Sequence, residues 1–251
     1  MTSPVLEVKS VNKTYEITEN KRLKVLDDVS LELKLNEIVA VVGPSACGKS
    51  TLLDCISGLS VVDQGQILLH KNPLNGRTGK VSYMMQDDVM LPWKNLKENI
   101  MLPYEVNGST IPPEKTDFLI KLFGLRKFMG FYPGEVSGGT KQRASLLRAY
   151  VSGHEVLLLD EPFGKLDAIT RHGILHWFLT IWQKKKLSVL LVTHDIDEAL
   201  YLSDRIYVMS ASPGKIISEI KVPFKRPRTD DYIATPQYSG LKLRLLNLIA
   251  G

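Results

Sequence analysis

The chain has 251 residues, of which 44% are hydrophobic and 24% are charged, and its formal net charge is +5. This length is enough for one large domain or two subdomains, and the apolar runs are too short to cross a bilayer. The start MTSPVLEVKS lacks the pattern of a secretory signal, so the sequence predicts a protein that stays in the cytosol.

The first 85 residues are predicted to be mainly strands. Apolar and polar residues alternate over the first 35 residues, which predicts paired strands. The continuous apolar run EIVAVVG at 37–43 predicts a strand buried on both faces. A glycine-rich loop and a helix in KSTLLDCISGL follow it, and GQILLH and KVSYMMQ predict further strands.

Between 86 and 150 the buried-strand runs disappear, and prolines at 92, 103, 112, 113 and 133 punctuate helical stretches. This change predicts a helical insertion within an α/β core. The core resumes with strands in EVLLLD, SVLLVTH and RIYVMS, which alternate with helices, so the fold class is α/β with a mostly parallel sheet. We therefore assign 1–85 and 151–222 to the core, 86–150 to a helical subdomain and 223–251 to a tail. Leucines at helical spacing in the tail predict a helix packed on the chain's own surface.

The distribution of charge, cysteine and histidine argues against a nucleic-acid groove, a disulfide and a metal site. The basic residues are scattered, and the two dense patches at 184–186 and 225–228 are interpreted as solvated turns rather than a nucleic-acid groove. Cys47 and Cys55 lie eight residues apart and predict neither a disulfide nor a cysteine metal site. His172 and His176 have a spacing that can bind zinc, but no third ligand is evident, so a surface or packing pair is favoured.

The segment GPSACGKST at 43–51 matches the P-loop pattern and stands between a buried strand and a helix, as a P-loop requires. Its backbone N–H groups can wrap phosphates, Lys49 can neutralise them, and the Ser50 hydroxyl can reach Mg²⁺. The sequence therefore predicts a site for a nucleoside triphosphate. The predicted phosphate-binding residues are Gly43, Pro44, Ser45, Ala46, Cys47, Gly48, Lys49, Ser50 and Thr51.

Two later strands end in groups that suit hydrolysis. VLLLDEP presents Asp160 for Mg²⁺ and Glu161 as a general base that polarises water. SVLLVTHD ends in His194, and in a parallel sheet ligands gather at the carboxyl ends of strands, which favours a γ-phosphate contact over a structural histidine. A second anion-site pattern, EVSGGTKQR at 135–143, opens another helix, so the chain has one phosphate site more than one nucleotide needs.

Taken in this order, GPSACGKST, VSGGT, LLLDEP and a strand-end TH resemble the ATP-binding subunit of ABC transporters. The resemblance implies an ABC ATPase fold with a small antiparallel β subdomain, and ATP and Mg²⁺ as ligands. It also implies roles: Tyr15 stacks on adenine, Gln86 senses Mg²⁺ and water, Glu161 is the base and His194 the switch. Two subunits would meet head to tail, so that Ser137, Gly138 and Gly139 of one act in trans on the other's ATP.

Several positions depart from that family's usual pattern. Val136 and Thr140 replace the leucine and glutamine of its signature, which predicts an intact phosphate contact and a weaker contact with the partner's nucleotide. Lys165 stands where a small residue is usual, and either a salt bridge or a repulsion could result.

The segment QDDVMLPWKNLKENIMLPYE further resembles the nitrate, sulfonate and taurine importer family. This resemblance implies a second ATPase subunit, integral-membrane permease subunits and, indirectly, a solute-binding protein, at the cytoplasmic face of the membrane. Trp93 and Leu91 are candidates for permease contact, with burial in the helical subdomain as the alternative. A soluble ABC ATPase acting on nucleic acid or ribosomes is the alternative function. A P-loop kinase is a third reading, which leaves VSGGT and His194 unexplained.

Overall fold

The computed structural model describes residues 3–18, 21–74, 76, 78–109, 112–185, 187–228 and 230–250. One residue of the first basic patch, Lys186, therefore lies outside the described residues. The strands in chain order are β1 (Pro4–Thr18), β2 (Lys21–Lys34), β3 (Ile38–Val42), β4 (Gln64–Leu69), β5 (Asn72–Pro73), β6 (Ser82–Met84), β7 (Val156–Asp160), β8 (Ser188–Thr193), β9 (Arg205–Met209) and β10 (Ile216–Lys221). The helices are α1 (Lys49–Ser57), α2 (Leu96–Val106), α3 (Pro113–Leu122), α4 (Gly138–Val151), α5 (Ala168–Lys185), α6 (Ile196–Leu202) and α7 (Pro236–Ala250).

Within the described residues these strands form two sheets. The larger has the order β10-β9-β3-β8-β7-β6 and is parallel except for β10, which pairs antiparallel with β9. The smaller has the order β2-β1-β4-β5 and is antiparallel. The predicted fold class is therefore confirmed. The sequence did not predict β10, because its alternating burial marks an edge strand with a weak apolar signal.

The central strands β3, β7 and β8 are buried along their whole length, as their continuous apolar runs predict. Helix α1 and the antiparallel sheet cover one face of the large sheet, and α4, α5 and α6 pack in the core on the other. The segment between β6 and β7 contains α2, α3 and α4, in agreement with the predicted helical insertion; the exact subdomain boundaries stay a prediction.

The tail forms α7, whose Leu245 and Tyr238 are buried against the chain's own core. The Lys242 ammonium lies 2.7 Å from a carboxylate oxygen of Asp197 on α6. The predicted packing of this helix on the chain's own surface agrees with these contacts.

The interpretation of the basic patch at 225–228 as a solvated turn is wrong. The Arg228 side chain is buried and donates hydrogen bonds to the carbonyls of Leu200, Tyr201 and Ser203 at the end of α6. Arg226 pairs with Asp204. A guanidinium has several donors in a fixed plane, so it can satisfy the last carbonyls of a helix while its positive charge interacts favourably with the helix dipole.

Candidate nucleotide-binding site

A cavity of about 420 Å³ lies at the carboxyl ends of the parallel strands. It brings together four motif-bearing sequence segments: the P-loop, Gln86 after β6, Glu161 after β7 and His194 after β8. Ligands gather at this edge in parallel α/β sheets. The lining residues are Val25, Ser45, Ala46, Gly48, Lys49, Ser50, Thr51, Gln86, Glu161 and His194.

The P-loop owes its shape to two glycines. Gly48 has φ +103, and a Cβ there would lie 2.9 Å from a Leu26 methyl. A Cβ on Gly43 would lie 2.7 Å from the Met209 carbonyl oxygen. Any side chain at either position would therefore push the loop away from β2 or β9 and change the direction of its N–H groups.

Lys49 begins α1 and is almost fully buried. Its ammonium donates to the carbonyl of Gly43 at 3.0 Å and to that of Pro44 at 2.7 Å. The positive charge is therefore held inside the phosphate loop at the N-terminal end of a helix, where the backbone also favours an anion.

The Glu161 carboxylate is held from two sides. One oxygen accepts a hydrogen bond of 3.0 Å from the Gln86 amide, and the other lies 3.1 Å from Nδ1 of His194. The backbone N–H of Glu161 donates to the carbonyl of Val192 on β8, which fixes the residue at the strand edge despite its positive φ of 44. The three predicted catalytic residues therefore form one contact network.

Asp160 ends β7 and is buried, and among the described residues its Oδ1 has no hydrogen-bond partner. Burial raises the pKa of this carboxyl, the charge of Glu161 acts in the same direction, and the Ser50 hydroxyl opposes them. A buried carboxylate oxygen without a partner suits a divalent cation, which prefers oxygen ligands. Ser50, Gln86 and Asp160 thus fit the predicted Mg²⁺ site.

The remaining predicted residues lie outside this cavity. Tyr15 is 38% exposed on β1, its hydroxyl lies 3.3 Å from that of Ser60, and the Lys13 ammonium is 5.0 Å from its ring centroid. Ser137 caps α4, where its hydroxyl accepts a hydrogen bond from the N–H of Thr140. Ser137 and Gly138 are exposed and do not line the nucleotide cavity.

The two polar residues that depart from the family's usual pattern, Lys165 and Thr140, both make contacts within the chain. Lys165 forms an ion pair with Asp87 in the segment after β6, and both side chains are exposed. The contact is therefore a bridge within the chain, of small energetic value. Thr140 is buried and its hydroxyl lies 3.0 Å from that of Ser137, which makes it part of the helix cap.

Sequence reasoning missed two groups of residues at the site. Val25 of β2 lines the cavity, but no motif marks it. Tyr83 and Asp54 belong to no motif. The Tyr83 hydroxyl bonds Asp160, 77 residues away in the sequence, and Asp54, 29 residues away.

The other side chains that could have formed metal sites do not do so. Nδ1 of His176 lies 3.3 Å from the Tyr201 hydroxyl, and the His172 ring lies 6.2 Å from the Tyr201 ring, which agrees with a packing pair. Among the described residues no three metal-binding side chains converge. Cys47 and Cys55 are both free and buried.

The P-loop, the strand-end carboxylates and the parallel sheet together define a P-loop nucleotide hydrolase. A family model described as ABC transporter matches residues 26–164. The chain belongs to the ABC transporter family, and the predicted ABC ATPase class is confirmed.

Similar proteins cover most of the chain. An uncharacterised ABC transporter ATP-binding protein of Methanocaldococcus jannaschii is 38% identical, over 97% of this chain and 91% of the relative. The aliphatic sulfonates import ATP-binding protein SsuB of Bacillus cereus is 38% identical, over 86% and 87%. The formylaminopyrimidine import ATP-binding protein ThiZ of Halalkalibacterium halodurans is 41% identical, over 79% and 78%.

Solved structures show the same architecture. The dimeric ATP-binding cassette MJ0796, in a post-hydrolysis state bound to ADP and phosphate, aligns with a TM-score of 0.76 at 26% identity. The alignment covers 88% of this chain and 100% of that one.

Proposed function

We propose that this chain is the ATP-hydrolysing subunit of an ABC importer, and that it works as a pair bound to permease subunits. The observation that carries this proposal is the cavity in which the phosphate loop meets Gln86, Glu161 and His194. The prediction of an importer ATPase is confirmed at the level of protein class, because similar proteins include the ATP-binding subunits of importers. They do not support the alternative of a soluble ATPase acting on nucleic acid or ribosomes.

ATP is the substrate of the cavity. The P-loop N–H groups and Lys49 bind its phosphates, and Tyr15 stacks on the adenine. Ser50, Gln86 and Asp160 hold Mg²⁺, which neutralises phosphate charge when bound. This assignment is supported by the partnerless oxygen of Asp160 and by the position of Lys49 inside the loop.

Hydrolysis requires a base that orients and polarises the attacking water. Glu161 is suited to this role because Gln86 and His194 hold both of its oxygens in place without neutralising it by an arginine or lysine. His194 is more than half exposed toward the cavity side, and its second ring nitrogen can contact the γ-phosphate. Glu161 is the carboxylate among the described residues that line this cavity, so it accepts the proton while His194 holds it in position.

The exposed start of α4 supports action in trans. Ser137 and Gly138 present a helix N-terminus to solvent, and a Cβ on Gly139 would lie 3.1 Å from a Thr170 methyl, so a larger residue there would require Thr170 to shift. In a head-to-tail pair this surface closes over the partner's ATP. ATP binding then drives closure to the extent that ATP prefers the closed state.

A groove of about 350 Å³ beside the cavity is suited to a permease segment. It has a mostly apolar lining contributed by β6, the loop after it, α2 and α4, and the lining residues are Tyr83, Met85, Val89, Leu102, Pro103, Val106, Asn107 and Arg148. Trp93 is 70% exposed, so the alternative of its burial in the helical subdomain is wrong. The Asn99 side chain bonds both backbone groups of Leu91, which fixes the loop that presents the indole for a partner.

We place this subunit at the cytoplasmic face of the membrane. Among the described residues no helix is long and apolar enough to cross a bilayer. The similarity to importer ATP-binding proteins supports contact with the membrane through a permease. The transported solute belongs to the nitrate, sulfonate and taurine class, a proposal supported by the similarity to SsuB. A solute-binding protein would deliver this solute to the permease.

Mixed subunits test the paired site. Lys49→Ala should lose nucleotide binding, and Ser137→Arg should block the closing surface, so neither variant alone forms an ATP-dependent dimer. Their mixture contains one complete composite site and should recover dimers on size-exclusion chromatography. Ser239→Arg, an arginine at an exposed serine of α7, is the matched control and should dimerise alone. No recovery in the mixture would contradict the action in trans.

The importer assignment has its own test. Co-purification of the native complex should yield a permease, and vesicles containing that complex should take up a sulfonate when ATP is supplied. Isolation of ribosomes or nucleic acid instead would refute the importer role.

A further inference from the structure

Tyr83 connects the groove with the metal-binding carboxylate. It lies on the edge strand β6, in parallel register with Leu158 of β7, two residues before Asp160. Tyr83 lines the groove. Its hydroxyl lies 3.4 Å from Oδ2 of Asp160 and 3.2 Å from Oδ1 of Asp54. One side chain therefore belongs both to the docking groove and to the nucleotide site.

The tyrosine hydroxyl has one proton and two carboxylates to share it with. A phenol keeps its proton at neutral pH, so this hydroxyl acts as a donor to either carboxylate. Donation to Oδ2 of Asp160 leaves Oδ1, the oxygen without a partner among the described residues, available for a cation. Donation to Asp54 releases Oδ2 and frees the Asp160 carboxylate to rotate.

Asp54 lies close to the predicted metal ligands. Ser50 and Asp54 are four residues apart on α1, so they lie on the same face of that helix. Small movements of the Tyr83 ring thus decide which of two carboxylates around the metal site is held by its hydroxyl. A phenylalanine would fill the same space in the groove without this contact.

We propose that Tyr83 is a positioning residue that couples occupation of the groove to Mg²⁺ binding at Asp160. A segment seated in the groove presses on the ring and changes how the hydroxyl is shared between Asp54 and Asp160. Coupling of this kind is reciprocal, so Mg²⁺ at the site changes the affinity of the groove for its occupant. The proposal rests on the docking role given to the groove, which extends the proposed function.

The first experiment measures the metal directly. The experiment uses the Glu161→Gln background and replaces Mg²⁺ by Mn²⁺. Protein is kept in excess over ATP so that all nucleotide is bound, and bound Mn²⁺ is measured by electron paramagnetic resonance. Tyr83→Phe should weaken Mn²⁺ binding about tenfold, the size of effect seen when groups that orient metal ligands are removed. Its affinity for ATP in EDTA should stay unchanged. Tyr104→Phe, the same chemical change on α2, should bind Mn²⁺ like the parent, and parental Mn²⁺ affinity in Tyr83→Phe would overturn the positioning role.

The second experiment tests coupling in the isolated chain. Val106, 76% exposed at the rim of the groove, is replaced by Trp so that an indole enters the groove. Val106→Trp should change Mn²⁺ affinity at least threefold when Tyr83 is present and leave it unchanged when Tyr83→Phe is also present. Leu243→Trp on α7 should have no effect in either background. Equal effects of Val106→Trp in both backgrounds would refute the coupling. No permease takes part, so this failure is distinct from failure of the importer assignment.

Discussion

Replacement of Glu161 by glutamine separates the chemistry of the site from its stability. The side chain keeps its shape, and its amide oxygen can still accept one of the two contacts made by Gln86 and His194. The other contact then faces an NH₂ group, so one hydrogen bond is lost at a partly exposed position, which costs about 1 kcal/mol of folding free energy. ATP binding is kept because Lys49 and the P-loop are unchanged.

The loss in turnover should be much larger than the loss in stability. General-base catalysis contributes about 10²- to 10⁴-fold, which corresponds to about 2.7 to 5.5 kcal/mol of activation free energy. Glu161→Gln should therefore bind ATP, release phosphate at least about a hundredfold more slowly, and accumulate as an ATP-bound dimer.

The assay is single-turnover phosphate release, with dimer formation followed by size-exclusion chromatography in ATP. Glu155→Gln is the matched control, because this residue pairs with His70 on the exposed surface, outside the nucleotide cavity. Phosphate release by Glu161→Gln within tenfold of the wild-type rate would remove Glu161 as the base.

Two further predictions concern α6, the helix that follows His194. Burial raises the pKa of Glu198 to about 7, whereas in the unfolded chain this carboxyl loses its proton near pH 4.5. Between these two pH values the folded chain holds one proton more than the unfolded chain. The free energy of unfolding should therefore fall as pH rises, by about 3 kcal/mol at 1.36 kcal/mol per pKa unit. Urea midpoints from pH 4 to 8 should show this fall in wild type and lose it in Glu198→Gln; equal pH profiles would contradict it. Arg228→Leu leaves three carbonyls of α6 unpaired and should lower stability by at least about 3 kcal/mol, whereas Arg244→Leu, at an exposed residue of α7, should not; equal melting temperatures would refute the capping role.

The sequence predicts those parts of the site in which one short segment contains both the functional residue and the strand or helix that positions it. A buried strand followed by a glycine-rich loop and a helix defines the phosphate site from positions 37–57 alone. Asp160, Glu161 and His194 were identified because each follows an apolar strand, and parallel strands bring their carboxyl ends to one edge. In these cases local sequence decides the place of the residue in three dimensions.

The parts that were missed depend on contacts between distant segments. Arg228 looks like part of a basic turn, yet it caps a helix that ends 26 residues earlier. Tyr83 lies on a short edge strand, and only the pairing of that strand with β7 places the Tyr83 hydroxyl beside Asp160. The loop that carries the exposed Trp93 is likewise held by the Asn99 side chain, which bonds both backbone groups of Leu91. No periodicity in the sequence reports such contacts.

The catalytic edge is joined to both proposed partner surfaces by side chains that lie outside the motifs. The Arg171 guanidinium donates to the carbonyl of Leu166, whose side chain lies beside Gly138 of the proposed pairing surface, and to Asp195, the residue after His194. Tyr83 joins the groove to Asp160 on the opposite side. A change at either surface therefore reaches the nucleotide through one or two contacts. Through these contacts closure of the pair would act on the residue beside His194 and docking of the permease on Asp160, so that one ATP site could respond to both.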